Sequence, residues 1–160
     1  MLEKMLRNAR MEDIKGIYAL LQHFAAQDLL LGRSLSSLYD QLRDFKVYEE
    51  EPTTSGLGGL AGACALHICW ENLAEIRSLA IPEAYQRRGL GRQLVEACLA
   101  EAVQFGISRV FTLTYQPDFF KRLGFRHIDK SELPHKVWSD CIHCPKFPDC
   151  NEEALIWEKQ

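Results

Sequence analysis

The fold turns on one stretch, Glu75-Ile76-Arg77-Ser78-Leu79-Ala80-Ile81-Pro82-Glu83-Ala84-Tyr85-Gln86-Arg87-Arg88-Gly89-Leu90-Gly91-Arg92. It reads as a strand over 74–81 that Pro82 stops, a short loop, and two glycines opening a long helix over 89–105. Leu90, Leu94, Val95, Cys98, Leu99 and Ala102 fall on one stripe of that helix at a period of 3.6. The first N–H groups of a helix have no partner within it, and the helix dipole makes that end electropositive. Glycine lets the backbone approach an anion closely, and Arg87, Arg88 and Arg92 add charged donors at the same place. The physical reading is a cradle for a pyrophosphate; its rival is an ordinary glycine turn with solvated arginines. A P-loop would need Lys-Ser/Thr after the glycine, and a dinucleotide fingerprint would need glycine where Leu94 stands, so both are disfavoured.

Working outward, residues 7–10 read as a short strand. Met11-Glu12-Asp13-Ile14 opens a helix whose Ile14, Ile17, Tyr18, Leu21 and Phe24 share a face. Residues 28–33 form a loop with exposed leucines, and Ser36 or Ser37 caps a second helix bearing Leu38 and Leu42. Strands follow at 45–49, 60–68 and 74–81, the first two separated by a Pro/Thr/Ser/Gly-rich turn at 50–59. Beyond the long helix come a strand at 110–115, a short helix at 117–123 with Gly124 just past its end, and a strand at 154–157. The order β-α-α-β-β-β-α-β-α-β predicts an α/β fold with a central mixed sheet.

The chain has 160 residues, 47% hydrophobic and 26% charged, which predicts a single domain spanning 1–160 with a real core. Its net charge of −3 argues against nucleic acid as a partner. No run approaches the roughly 18 apolar residues of a membrane span. The mixed charges of residues 1–10 do not read as a secretory signal, so a cytoplasmic location and reduced thiols for the six cysteines are expected.

Gln86-Arg87-Arg88-Gly89-Leu90-Gly91 matches Q/R-x-x-G-x-G/A, the acetyl-CoA motif of the GNAT N-acetyltransferases. Phe119-Phe120-Lys121-Arg122-Leu123-Gly124-Phe125 resembles their later F-Y-x-x-x-G-F signature. The resemblance runs from Arg7 to about Ile128. It implies the GNAT fold, a mixed, mostly antiparallel sheet flanked by helices, with acetyl-CoA as co-substrate in a V-shaped opening between two central strands. It implies that backbone amides of Gln86 to Gly91 hold the pyrophosphate. Main-chain groups of Leu79 and Ile81, flanking Ala80, would pair with the pantetheine arm. The Leu79 amide would also polarise the thioester carbonyl.

Within that family the sequence is similar to the acetyltransferase domain of N-acetylglutamate synthases, above all the short bacterial type. Leu29-Leu30-Leu31-Gly32-Arg33-Ser34 looks like their L-V-x-R-S substrate loop. Leu133-Pro134-His135-Lys136-Val137-Trp138, followed by Cys141-x-x-Cys144-Pro145, looks like the tail of the short form. The two-domain synthases also carry an amino-acid kinase domain, for which this length leaves no room. The resemblance implies acetylation of the α-amine of L-glutamate, in arginine biosynthesis, by direct transfer.

The chemistry needs a base, because an α-ammonium must lose a proton before it attacks. Glu75 is the candidate by its motif position; the alternative is a carboxylate paired with Arg77, which shares its strand face at i+2. A dicarboxylate calls for guanidinium groups: Arg33 first, with Ser34 beside it, and Arg77 second. The family's tyrosine, thought to protonate the departing thiolate, is Phe120 here. Tyr115 is the substitute, weighed against a packed core tyrosine. Gln116 stands in the segment where the two-domain synthases carry an arginine, so glutamine or another small amine remains an alternative acceptor, as does a non-catalytic acetyl-CoA sensor.

Cys141-x-x-Cys144-x5-Cys150, with His135 and His143 nearby, has the composition of a tetrahedral zinc site. Lacking a second C-x-x-C, it is read instead as a compact loop of thiols in a tail over 131–160, with no metal. Cys64 and Cys69 are read as small buried hydrophobes rather than nucleophiles. His67 and His127 are read as structural, and Trp70, Trp138 and Trp157 as packing residues. A homodimer is possible by analogy with relatives.

Overall fold

A computed structural model describes residues 5–30, 32–49, 59–134 and 152–160. The elements are β1 (Leu6–Asn8), α1 (Ile14–Ala25, entered through a 3-10 turn at Met11–Asp13), α2 (Leu35–Asp40) and β2 (Phe45–Glu49). Then come β3 (Leu60–Trp70), β4 (Leu73–Ala80), α3 (Leu90–Gln104), β5 (Arg109–Thr114), α4 (Pro117–Lys121), β6 (Arg126–His127) and β7 (Glu153–Glu158). One seven-stranded sheet runs β1-β2-β3-β4-β5-β7-β6. Every neighbouring pair is antiparallel except β4 and β5. A parallel pair needs a crossover, and α3 supplies it.

Alternation along the strands divides the core between the two faces of the sheet. Cys64 and Leu66 of β3, with Ala74 and Ile76 of β4, pack under the Leu90, Leu94, Val95, Cys98 and Leu99 stripe of α3. Phe45, Val47, Ala63 and Ala65 pack on the other face under Ile14, Ile17, Leu21 and Phe24 of α1 and Leu38 of α2. The long helix is thus amphipathic as its spacing predicts, and the sheet is covered on both sides, which suits a parallel pair at its centre.

Several expected boundaries shift. The second helix is capped by Ser34, whose hydroxyl accepts the Ser37 N–H at 3.1 Å, and not by Ser36 or Ser37. Ser34 has the extended backbone a cap needs, whereas Ser36 and Ser37 are already helical. β4 stops at Ala80 rather than Ile81, and β5 at Thr114, so Tyr115 lies one residue past its strand. β3 runs on to Trp70. The two-residue β6, paired with β7, was not foreseen, because two residues carry no period. Leu31, the 50–58 part of the turn, and Trp138, His135, His143, Cys141, Cys144 and Cys150 of the tail lie outside the described residues.

Two irregularities in β4 open the centre of the sheet. Toward β3, Ala65 pairs with Arg77 and Ala63 with Ala80, so Ser78 and Leu79 together face the single residue Cys64. That is a β-bulge, and Ser78 takes φ 54° to make it. Toward β5, pairing covers only Ala74–Ile76 against Val110–Thr112. At the last pair the buried Thr112 hydroxyl donates to the Ile76 carbonyl at 3.0 Å. Beyond it the strands part, and residues 77–80 have no strand neighbour on their β5 side among the described residues.

Candidate active site

The wall of this V is a stretch of strand with main-chain groups left over, able to take an extended ligand as an added strand. At its upper end the chain passes Ile81 and Pro82, makes a 3-10 turn at Glu83–Tyr85 and enters α3. The Gln86 side-chain amide donates to the Ile81 carbonyl at 2.9 Å and fastens the loop. Arg87 (φ 65°) and Gly89 (φ 80°) turn the backbone through left-handed conformations, and Gly89 is the N-cap of α3 with no side-chain cap bond. The opening N–H groups of a fifteen-residue helix therefore receive no cap from the N-cap side chain. A Cβ on Gly91 would sit 3.3 Å from Cζ of Phe119, so α4 closes against the first turn of α3 from the β5 side.

The arginines of this turn divide. Arg87 and Arg88 are exposed, and the Arg88 guanidinium lies 5.4 Å from the Tyr85 ring centre. Arg92 is held by Glu96 at 2.7 Å, one helical turn on, which competes with an anion for its charge. The main-chain amides carry the anion-binding character, and Arg92 adds less than its place in the motif implies.

The acid–base cluster sits lower in the V, on the face that α1 and α2 cover. Glu75 is buried, and Nε of Arg77 donates to its Oε1 at 2.5 Å. The expected i+2 pairing is present, on a central strand. Burial pushes the Glu75 carboxyl above its ordinary value, against the opposing pull of Arg77. Directly across on β3 is His67, whose Nδ1 lies 2.7 Å from Oδ2 of Asp44.

Arg33 comes in from the loop before α2. Its guanidinium lies over the Phe45 ring, 5.2 Å from the centre. Nη2 donates to Ser37 Oγ at 3.1 Å and to Gln41 Oε1. Nη1 is buried and has no hydrogen-bond partner among the described residues. Burial and the neighbouring Arg77 charge push the Arg33 pKa down, while Asp44 and Glu75 pull it up. A buried guanidinium N–H with no acceptor is costly, and two guanidinium groups close enough to oppose each other invite an anion.

Ser34, beside Arg33, is exposed and engaged as the α2 cap. Tyr115 is half-buried at the β5 lip of the V. Gln116 is exposed as the N-cap of α4, its N–H donating to Thr114 Oγ1 at 2.8 Å. Phe120 is 3% exposed and wedged edge-on between Phe119 and Phe125, a place where a hydroxyl would be stranded. Cys64 is buried on the α3 face, the side of the sheet away from Glu75, with its Sγ 3.8 Å from that of Cys98. The Cys98 thiol and burial hold Cys64 well above the ordinary thiol range, so it is no thiolate nucleophile. Sequence reasoning missed the Asp44–His67 pair and the Ser78 bulge. Both depend on strand register, which no local spacing reveals.

The profile of the Acetyltransferase (GNAT) family matches residues 16–125. This chain is a GNAT acetyltransferase. An uncharacterized N-acetyltransferase of Chlorobaculum tepidum is 38% identical to it over 151 residues, covering 94% of each chain. The amino-acid acetyltransferase of Mycobacterium tuberculosis is 33% identical over 135 residues, 84% of this chain and 75% of that one. The structure of N-acetylglutamate synthase from Neisseria gonorrhoeae, complexed with coenzyme A and N-acetyl-glutamate, superposes with a TM-score of 0.85 at 28% identity. That match covers 97% of this chain and 35% of the synthase. A Mycobacterium tuberculosis protein in complex with CoA gives a TM-score of 0.80 at 28% identity, over 97% and 99% of the two chains.

The GNAT co-substrate is acetyl-CoA, and the residues present fit it. Among the described residues the strand edge at 77–80 is open, the α3 N-cap Gly89 brings no side-chain cap, and there is open space where its Cβ would stand. Among the described residues no helix is long and apolar enough to cross a membrane, and no group of histidine, cysteine and acidic side chains is placed to hold a metal.

Proposed function

We propose that this acetyltransferase acts on an amino acid, and that the amino acid is L-glutamate, acetylated on its α-amine to N-acetylglutamate. The observation that carries the reading is the buried Arg33 Nη1, which has no acceptor among the described residues and is set near Arg77 beside the carboxyl of Glu75. Two cations at one end of the cluster answer two carboxylates on the acceptor. The likeness to proteins named amino-acid acetyltransferase and N-acetylglutamate synthase supports the same choice.

Each residue then has a task. Bound acetyl-CoA supplies an acyl group already activated as a thioester. The amides from Gln86 to Gly91, with Arg87 and Arg88, hold the pyrophosphate, and Leu79, Ala80 and Ile81 hold the pantetheine arm. Arg33 and Arg77 fix the acceptor's carboxylates. Glu75, whose burial favours its protonated form, takes a proton from the α-ammonium and exposes the lone pair. The Leu79 N–H, just past the bulge, donates to the carbonyl oxygen as negative charge gathers there. Tyr115 gives its proton to the departing sulfur. Gln116, at the mouth, borders the acceptor.

The test is thiol release from acetyl-CoA across glutamate, glutamine, aspartate and polyamines. Glutamate gives the highest kcat/KM. Arg33→Ala raises the KM for glutamate roughly 10- to 100-fold, the worth of a hydrogen bond to a charged group, and leaves the KM for acetyl-CoA alone. Equal loss toward an amine without carboxylates, or no loss, refutes the assignment of Arg33 and with it the dicarboxylate acceptor.

A further inference from the structure

The reaction leaves a proton behind. An ammonium enters with three N–H bonds and the amide keeps one; as the N–C bond forms and the C–S bond breaks, the thiol takes one proton. The other must reach solvent on every turnover. Glu75, the proposed base, has a side chain only 9% exposed, with Oε1 already engaged by Arg77.

His67 is placed to take that proton. It is the cross-strand partner of Glu75, so the two side chains leave the sheet on the same face, with Cβ atoms about 4.5–5.5 Å apart for directly opposed residues. With Nδ1–H donated to Asp44, the lone pair of the imidazole resides on Nε2. His67 and Asp44 are 24% and 23% exposed, so the pair reaches from the buried carboxyl to water. The other charged groups around the cluster are Arg33 and Arg77, neither of which can accept a proton at neutral pH, and Glu152, a carboxylate just before β7 that opposes the ionisation of Glu75 and is not its cross-strand partner. We infer that His67, held in place by Asp44, is the residue through which Glu75 sheds its proton to solvent. The Glu75 carboxyl passes its proton to Nε2, the imidazolium releases one to water, and the carboxylate and neutral imidazole are restored.

This rests on Glu75 being the base, and the test separates the two claims. His67→Ala lowers kcat on the order of 10- to 100-fold, at or below the contribution of a direct general base. The KM values for glutamate and acetyl-CoA stay within about twofold, and added imidazole restores kcat in proportion to its concentration. Glu75→Gln lowers kcat further and is not rescued by imidazole. Wild-type kcat in His67→Ala, or a loss that imidazole does not touch, overturns the inference while the base reading stands. Undiminished kcat in Glu75→Gln overturns the base reading itself. Should His67→Ala fail to fold, His67→Gln, which can still donate to Asp44, reads the same loss with an enlarged solvent deuterium isotope effect on kcat; wild-type values there overturn the inference equally.

Discussion

At the scale of the residue, Glu75 ties chemistry to stability. Burial sets its folded pKa above the ordinary 4.5, so the folded state holds this proton more tightly than the unfolded chain does. The contribution to stability is full below pH 4.5 and is lost as pH rises through the elevated value. Glu75→Gln keeps an oxygen for Arg77 and removes the charge. Its thermal midpoint should match the wild type near pH 4, exceed it by a margin that grows as pH rises through the elevated value, and then hold that margin; a margin independent of pH from pH 4 upward would contradict the shift. The i+2 relation of Glu75 and Arg77 was legible because strand period alone puts them on one face. The place of Arg33 was legible only through its likeness to a substrate loop. Its missing acceptor is a fact of packing, and so is the engagement of Ser34 as a cap, because both depend on which way α2 enters.

At the scale of the element, charge fixes where α1 begins. Arg7 of β1 grips Asp13 through Nη1 at 2.7 Å and Nη2 at 3.1 Å, and Asp13 also accepts the Arg10 N–H at 2.7 Å. Burial pushes the Asp13 carboxyl up, but the Arg7 bond and the Arg10 N–H outweigh it and hold it below 3.8. Stability from this group is present above pH 3.8 and lost as pH falls through the depressed value. Asp13→Asn should cost about 1–3 kcal/mol at neutral pH, a drop of roughly 2–4 °C in Tm per kcal/mol, and the deficit should close in acid. The entrance to α3 is fixed differently, by backbone sign. Gly89→Ala meets no atom within 4 Å, yet must hold φ 80°, at about 1–2 kcal/mol. The strained turn should raise the KM for acetyl-CoA roughly tenfold and spare kcat at saturation; initial rates at varied acetyl-CoA would show it. Every element of four residues or more was legible in the sequence, α1, α3 and β2 from their period and β4 and α4 from the Pro and Gly that bound them, whereas the bulge and the parting of β4 from β5 were not. Those two arise where neighbouring strands cease to match, a property of pairs rather than of any one segment.

At the scale of the molecule, the sheet is two pieces joined at a narrow place. Strands β1 to β4 form one antiparallel run and β5, β7 and β6 another. Between them stand three paired positions and the Thr112 hydroxyl bond to Ile76. Helix α3 spans the join, packing in one cluster with Val110 of β5 and Leu155 of β7 as well as with β3 and β4, whereas the α1–α2 layer packs on strands of the first piece. A ligand lying in the V must therefore act as a missing strand, completing hydrogen bonds that the polypeptide leaves open while touching the helix that bridges the two pieces. Binding stabilises the folded state by mass action, about 2.7 kcal/mol at a hundredfold excess over Kd. For a chain of this size that raises Tm by roughly 5–10 °C. The location of the effect is the sharper prediction. Amide hydrogen exchange with and without acetyl-CoA should show new protection at residues 77–81 and 86–91. Residues 74–76, already paired to β5, should stay unchanged. Protection spread evenly over the sheet would mean that the co-substrate tightens the whole fold and does not occupy the V. Protection confined to 86–91 would mean that the phosphates are held while the arm lies elsewhere, which would remove the Leu79 amide from the carbonyl it is assigned to polarise.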